Sequence, residues 1–85
     1  MIKVLKFYTE TCIPCRTLGK ILSRIKELEV IPVNALEDIA KVDEYNVFAT
    51  PTLIFLKDDK EVKRTHGMKS EAEIRKILEE IETTA

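Results

Sequence analysis

Apolar positions along the chain switch between two periods. Ile2–Tyr8 (IKVLKFY) is apolar on both alternating faces, with β-branched and aromatic members. This pattern predicts a strand buried on both sides in a parallel sheet. Thr9–Thr11 supplies polar residues able to cap a helix, and Pro14 suits a first helical turn. From Leu18 the period becomes helical: Leu18, Ile21, Leu22, Ile25 and Leu28 follow i, i+3, i+4, i+7 spacing. The spacing predicts an amphipathic helix of about four turns. Glu29–Val33 (EVIPV) predicts a short second strand, in which Pro32, lacking an N–H, fits an edge or an irregular stretch.

Asn34 followed by Glu37 has the form of a capping box and predicts a short helix through Ile39, Ala40 and Val42 towards Tyr45. Thr52–Lys57 and Glu61–Thr65 are β-rich runs flanking Asp58-Asp59-Lys60, the signature of an antiparallel hairpin. Ser70 with Glu73 is a second capping box. It opens a last helix with the apolar stripe Ile74, Ile77, Leu78 and Ile81. The order β-α-β-α-β-β-α predicts an α/β fold with a four-stranded mixed sheet and three helices on its two faces.

Composition narrows the functional classes. Eighty-five residues make one domain, 1–85, near the small end of what folds unaided. Fourteen Lys+Arg oppose fifteen Asp+Glu with both signs scattered, which gives no electrostatic footprint for nucleic acid or a membrane surface. Apolar runs such as Leu53–Leu56 are too short to span a bilayer. Met1 leads straight into a strand without the apolar region and cleavage site of a signal peptide, so the expectation is a reducing, cytoplasmic setting. There is no internal repeat, linker or low-complexity tract.

Cys12 and Cys15 are the only cysteines. Spaced C-x-x-C where a strand turns into a helix, they pair with each other or react together. As a staple the bridge is poor, because so short a loop removes little entropy from the unfolded chain. The spacing does allow a reversible dithiol–disulfide switch, in which one thiolate attacks and its neighbour resolves the adduct.

Three segments in sequence resemble the thioredoxin family. Phe7–Arg16 (FYTETCIPCR) is a strand running into a Cys-x-Pro-Cys helix start with a basic residue after it. Ala49–Phe55 (ATPTLIF) is similar to the family's cis-proline loop and following strand, and His66-Gly67 stands where the family has a glycine before its last helix. The length resembles that of small archaeal-type thioredoxins and glutaredoxins, without the extra N-terminal strand and helix of full-length members. The resemblance implies a thioredoxin-like fold and a thiol-disulfide oxidoreductase reducing protein disulfides, with a redox-active Cys12–Cys15 pair and no metal or organic cofactor. It also implies disulfide-containing protein substrates, recharging by an external thioredoxin-reductase-type donor, and a monomer.

Within that expectation Cys12, at a helix N-terminus, is the attacking nucleophile, because unpaired N–H groups and the macrodipole there favour an anion. Cys15, one turn inward, is the resolving thiol. An ordinary thiol pKa of about 8.5 must fall for fast reaction at neutral pH, and Arg16 adds positive charge in the same turn. Ile13-Pro14 offers less to the sulfur than the histidine of strongly oxidising relatives, which leans towards a reductant. The resemblance assigns substrate contacts to Thr11, Ile13, Pro14, Thr50 and Pro51. Thr50 presents its backbone to an extended peptide, as in strand addition.

Two positions depart from the family. Thr11 replaces the aromatic residue before the first cysteine. Lys6 replaces the buried aspartate that the family has six residues before that cysteine and that is credited with proton transfer. Lys6 has two readings: a cation beneath the pair that lowers a cysteine pKa, or a side chain snorkelling to water. Three further alternatives stand. One is a glutaredoxin-like, glutathione-dependent enzyme, against which speak Gly67-Met68-Lys69-Ser70 and Cys-Ile-Pro-Cys. Another is a non-catalytic thioredoxin-fold binding module. The third is a metal shared between two copies, since His66 is the only histidine and one chain has too few Cys and His ligands for a structural zinc.

Overall fold

A computed structural model describes residues 2–83; Met1, Thr84 and Ala85, which the expected 1–85 domain includes, lie outside the described residues. The elements run β1 (Ile2–Tyr8), α1 (Ile13–Ser23), β2 (Leu28–Asn34), α2 (Ile39–Tyr45), β3 (Thr52–Lys57), β4 (Lys60–His66) and α3 (Glu71–Thr83). They form a four-stranded sheet in the order β2-β1-β3-β4. β1 pairs in parallel with β2 and antiparallel with β3, and β4 returns antiparallel to β3. The sheet is therefore mixed, and β2, carrying Pro32, is an edge strand.

Alternation along β1 splits the core into two layers. Ile2 and Val4 face α1 and α3 and pack with Leu18, Leu22, Leu53, Phe55, Ile74, Leu78 and Ile81. Leu5 and Phe7 face the other way, with Val33, Ile54 and Leu56, against Val42 and Tyr45 of α2. Phe7 meets Tyr45 edge-on, ring centroids 6.2 Å apart. Both strands at the sheet centre are thus apolar on two faces because each face is covered.

Local signals explain the boundaries, and several differ from the sequence expectation. Cys12, rather than Thr9–Thr11, is the N-cap of α1, and β2 runs Leu28–Asn34 rather than Glu29–Val33. α1 stops at Ser23, so Ile25 and Leu28 are buried in a turn and at the start of β2 rather than on a longer helix. The Arg24 and Ile25 amides bond to the carbonyls three residues back, tightening the helix end. Asn34 does not cap α2: its Oδ1 accepts from the Leu36 amide in a local turn. Asp38 is the cap, accepting from the Lys41 amide at 3.1 Å. The hairpin loop is two residues rather than three, because Lys60 already pairs with Lys57. Asp58 and Asp59 both take positive φ, 53° and 65°, as a tight hairpin turn requires. The Ser70–Glu73 box forms as expected, with reciprocal bonds of 3.0 and 3.2 Å.

Candidate active site

The site is built where β1 ends. The Cys12 amide donates to the Thr9 carbonyl at 3.2 Å, turning the chain out of the sheet. Cys12 is then the N-cap of α1, with extended φ −84° and ψ 104°. Its sulfur occupies the place of a capping oxygen: the Cys15 amide donates to Cys12 Sγ at 3.2 Å. Pro14 lies in the first turn, where it leaves one helix-start amide fewer to satisfy. No acidic residue lies in that turn.

Cys12 and Cys15 are joined in a disulfide with Cα atoms 5.2 Å apart. The two sulfurs differ in access. Cys12 is half-buried, whereas Cys15 is 2 % exposed, one turn into the helix. Thr11, Ile13 and Pro14 are exposed around the pair, Ile13 at 71 %. Arg16 is exposed too, and its Nη2 donates to the Glu10 carbonyl at 2.9 Å.

A second segment reaches the same end of the sheet. Phe7 pairs with Thr52, so Thr50 and Pro51, just before β3, stand level with the end of β1 and the turn that follows it. The Thr50–Pro51 peptide bond is cis. The Gly67 amide donates to the Pro51 carbonyl at 2.9 Å, and Gly67 adopts φ 78°, which favours glycine. Thr52 is fully buried and its hydroxyl donates to the Ala49 carbonyl at 2.6 Å. Its lone pairs remain to accept from His66 Nδ1 at 3.3 Å. Topology therefore gathers the cysteine turn, Thr50-Pro51 and His66-Gly67 at one end of the sheet.

Lys6 is half-buried on the α1 face of β1, its ammonium 5.1 Å from the Tyr8 ring centroid. Two residues near the site went unmarked in the sequence. Gly19 lies in α1 opposite Lys6; its signal is a glycine inside a helix, which costs about 1 kcal/mol against alanine and so implies close packing. Phe48 is 89 % exposed, two residues before Thr50, and nothing in its local pattern marks it as a surface residue.

Resolved carboxylate shifts belong to scaffold rather than site. Arg64 grips Glu61 through two 2.9 Å bonds and holds its carboxyl below the ordinary value. Among the described residues no group of His, Cys, Asp or Glu is arranged to hold a metal ion, and no helix is long and apolar enough to cross a membrane.

A half-exposed sulfur capping a helix, bridged to a buried one behind it on a mixed α/β sheet, defines a thiol-disulfide oxidoreductase. The thioredoxin family model matches residues 1–80. The chain is 29 % identical over 79 residues to a thioredoxin of Chlamydia trachomatis, covering 88 % of this chain and 78 % of that protein. It is 33 % identical over 76 residues to that of Chlamydia muridarum, covering 85 % and 74 %. Among solved structures, Fasciola hepatica thioredoxin superposes with a TM-score of 0.78 at 30 % identity, covering 93 % of this chain and 79 % of that one. A mutant thioredoxin from Halobacterium salinarum, with a TM-score of 0.87 at 24 % identity over 93 % and 73 %, speaks for the fold alone. The chain belongs to the thioredoxin family and is a protein-disulfide oxidoreductase with the family's fold. Membership implies, in general terms, protein substrates and a reductase as electron donor.

Proposed function

We propose that the whole chain acts as one thioredoxin-like domain that reduces protein disulfides, with Cys12 attacking and Cys15 resolving. In the reduced state the Cys12 thiolate attacks one sulfur of a substrate disulfide. A Cys12–substrate bond forms, and the other substrate sulfur leaves as a thiolate that takes a proton from water. Cys15, deprotonated, then attacks Cys12 Sγ. The Cys12–Cys15 bond forms, the second substrate sulfur leaves, and two electrons have passed to the substrate. A reductase of the thioredoxin-reductase type returns the pair to the dithiol. The sulfurs carry the electrons, so no metal or organic cofactor is called for.

The observation that carries this reading is the asymmetry of access, a half-buried Cys12 in front of a 2 % exposed Cys15. Only the outer sulfur can meet a bulky partner, whereas the inner one is placed to reach Cys12 and little else. Thr11, Ile13 and Pro14 form the exposed rim for the substrate, and Thr50-Pro51 offers backbone to its extended chain. The domain works as a monomer in the cytoplasm.

Trapping tests the order of attack. Cys15→Ser accumulates mixed disulfides with protein substrates and Cys12→Ser does not; the reverse outcome refutes the assignment. Insulin reduction run beside a glutathione mixed-disulfide assay separates a thioredoxin-like from a glutaredoxin-like enzyme. A measured reduction potential near about −270 mV supports a reductant, and one near about −120 mV makes the protein an oxidant.

A further inference from the structure

Lys6 sits in a seat that Gly19 creates. A Cβ at position 19 would lie 2.8 Å from Lys6 Nζ, so the ammonium rests directly against α1 in the room glycine leaves, and a larger residue would push this flexible chain end aside. Gly19 follows Cys15 by four residues, and side chains at that spacing share one helix face about 5–6 Å apart. The lysine is thus held one turn from the buried sulfur and on its side of the helix. Lys6 and Cys15 also line one cavity of about 400 Å³, together with Tyr8, Thr9, Glu10 and Arg16. Arg16 points to the Glu10 carbonyl, and among the described residues the ion pairs leave Lys6 without a carboxylate partner. The titratable and charged groups facing Cys15 across the cavity are therefore Lys6, Tyr8, Glu10 and Arg16, with Lys6 the one seated against its helix.

We propose that Lys6 is a positioning residue that keeps positive charge beside Cys15 and favours its thiolate while the mixed disulfide is resolved. The proposal rests on Cys15 being the resolving thiol. Attack by Cys15 requires loss of its proton, which leaves through the cavity to solvent. The positive charge of Lys6 balances the anion until the new sulfur–sulfur bond forms.

Titration of Cys15 by thiolate ultraviolet absorbance, in a Cys12→Ala background where it is the only thiol, tests the charge directly. Lys6→Met moves the midpoint up by about one pH unit, the low end for loss of a close opposite charge. Gly19→Ala keeps the lysine but puts a Cβ where its ammonium rests, so the flexible chain end moves aside and the midpoint shifts the same way by less. That variant raises helix propensity, so loss of the fold does not mask the result. An unchanged midpoint in Lys6→Met overturns the proposal.

With both cysteines present, single-turnover release of the substrate thiol gives a second readout. Below both midpoints Lys6→Met has about tenfold less Cys15 thiolate, but each thiolate is about threefold more nucleophilic at a Brønsted slope of about 0.4–0.5. Release then slows about three- to fourfold at neutral pH and quickens about threefold in strong alkali, so the two pH profiles cross. Parallel profiles mark a merely structural role for Lys6 and overturn the proposal. A shifted titration with release rates identical at every pH upholds the effect of Lys6 on the thiol and instead removes Cys15 as resolver.

Discussion

The backbone amide of Cys15 points at the sulfur of Cys12 from 3.2 Å, where a helix ordinarily has a serine or aspartate oxygen. On reduction the same amide, with the positive end of the helix behind it, faces a developing thiolate. An N–H donor and the macrodipole both stabilise the anion over the thiol. Alkylation of Cys12 in reduced protein is expected to reach half its maximal rate well below the pH at which an ordinary thiol does. Cys15 is expected to react slowly at neutral pH because it is buried. Peptide mapping after brief iodoacetamide treatment checks both; equal labelling of the two cysteines would contradict them.

Phe7 and Ile13 are both apolar but sit in opposite settings. Phe7 is fully buried between β1 and α2, and truncating such a phenylalanine to alanine costs about 3–5 kcal/mol. That is a large part of the roughly 5–15 kcal/mol available to a small domain. Phe7→Ala is expected to be marginally folded at best. Ile13, 71 % exposed, loses little on truncation, within about 0.5 kcal/mol. Ile13→Ala should instead raise KM for protein disulfides while the denaturant midpoint stays in place. A KM left unaltered would remove Ile13 from the substrate rim.

Acid should loosen the start of α3. The Arg75 guanidinium, with help from Arg24, holds Glu71 below its ordinary value, and the Ser70 amide and hydroxyl do the same for Glu73. Carboxyls depressed in the folded state stabilise it fully above their unfolded pKa and lose that effect as pH falls through the folded value. Melting temperature is therefore expected to drop as pH is lowered below about 4.5, the ordinary value for these groups. Glu73→Gln should make that acid limb shallower. Ser70→Ala should cost about 1 kcal/mol at neutral pH, as loss of an N-cap does. Thermal unfolding followed across the acid range reads all three.

Where sequence reasoning succeeded, each signal was local. The cysteine spacing, the Ser70–Glu73 box and the alternation of Ile2–Tyr8 each lie within one element and its flanks. It over-extended α1 because Ile25 and Leu28 keep helical spacing while being buried by other means, one in a turn and one on a strand. It misplaced the cap of α2 because Asn34 and Asp38 are equally good capping types, and only the backbone turn between them decides. Lys6 shows the limit most plainly. Its side chain could reach water or tuck under α1, and it rests against a glycine thirteen residues away on another element, which its own segment does not reveal. Contacts between elements, not propensities within them, fixed what remained illegible.

Thr52 ties the loop that ends in Thr50-Pro51 to the sheet. Its buried hydroxyl donates to Ala49 and accepts from His66, so one side chain anchors the residues just before Thr50-Pro51 from both directions. Thr52→Val keeps shape and burial but strips the Ala49 carbonyl of its donor, and because Ala49 is exposed the loss is that of an ordinary hydrogen bond, about 0.5–1.5 kcal/mol. His66→Ala leaves the shorter bond to Ala49 in place, and His66 is exposed, so its cost should be well under that of Thr52→Val. If Thr50 and Pro51 receive the substrate backbone, loosening Ala49 should raise KM for insulin reduction. Small-disulfide reduction, which needs only Cys12 and Cys15, should change far less. Equal losses with large and small disulfides would place the effect of Thr52 on the cysteines rather than on the loop.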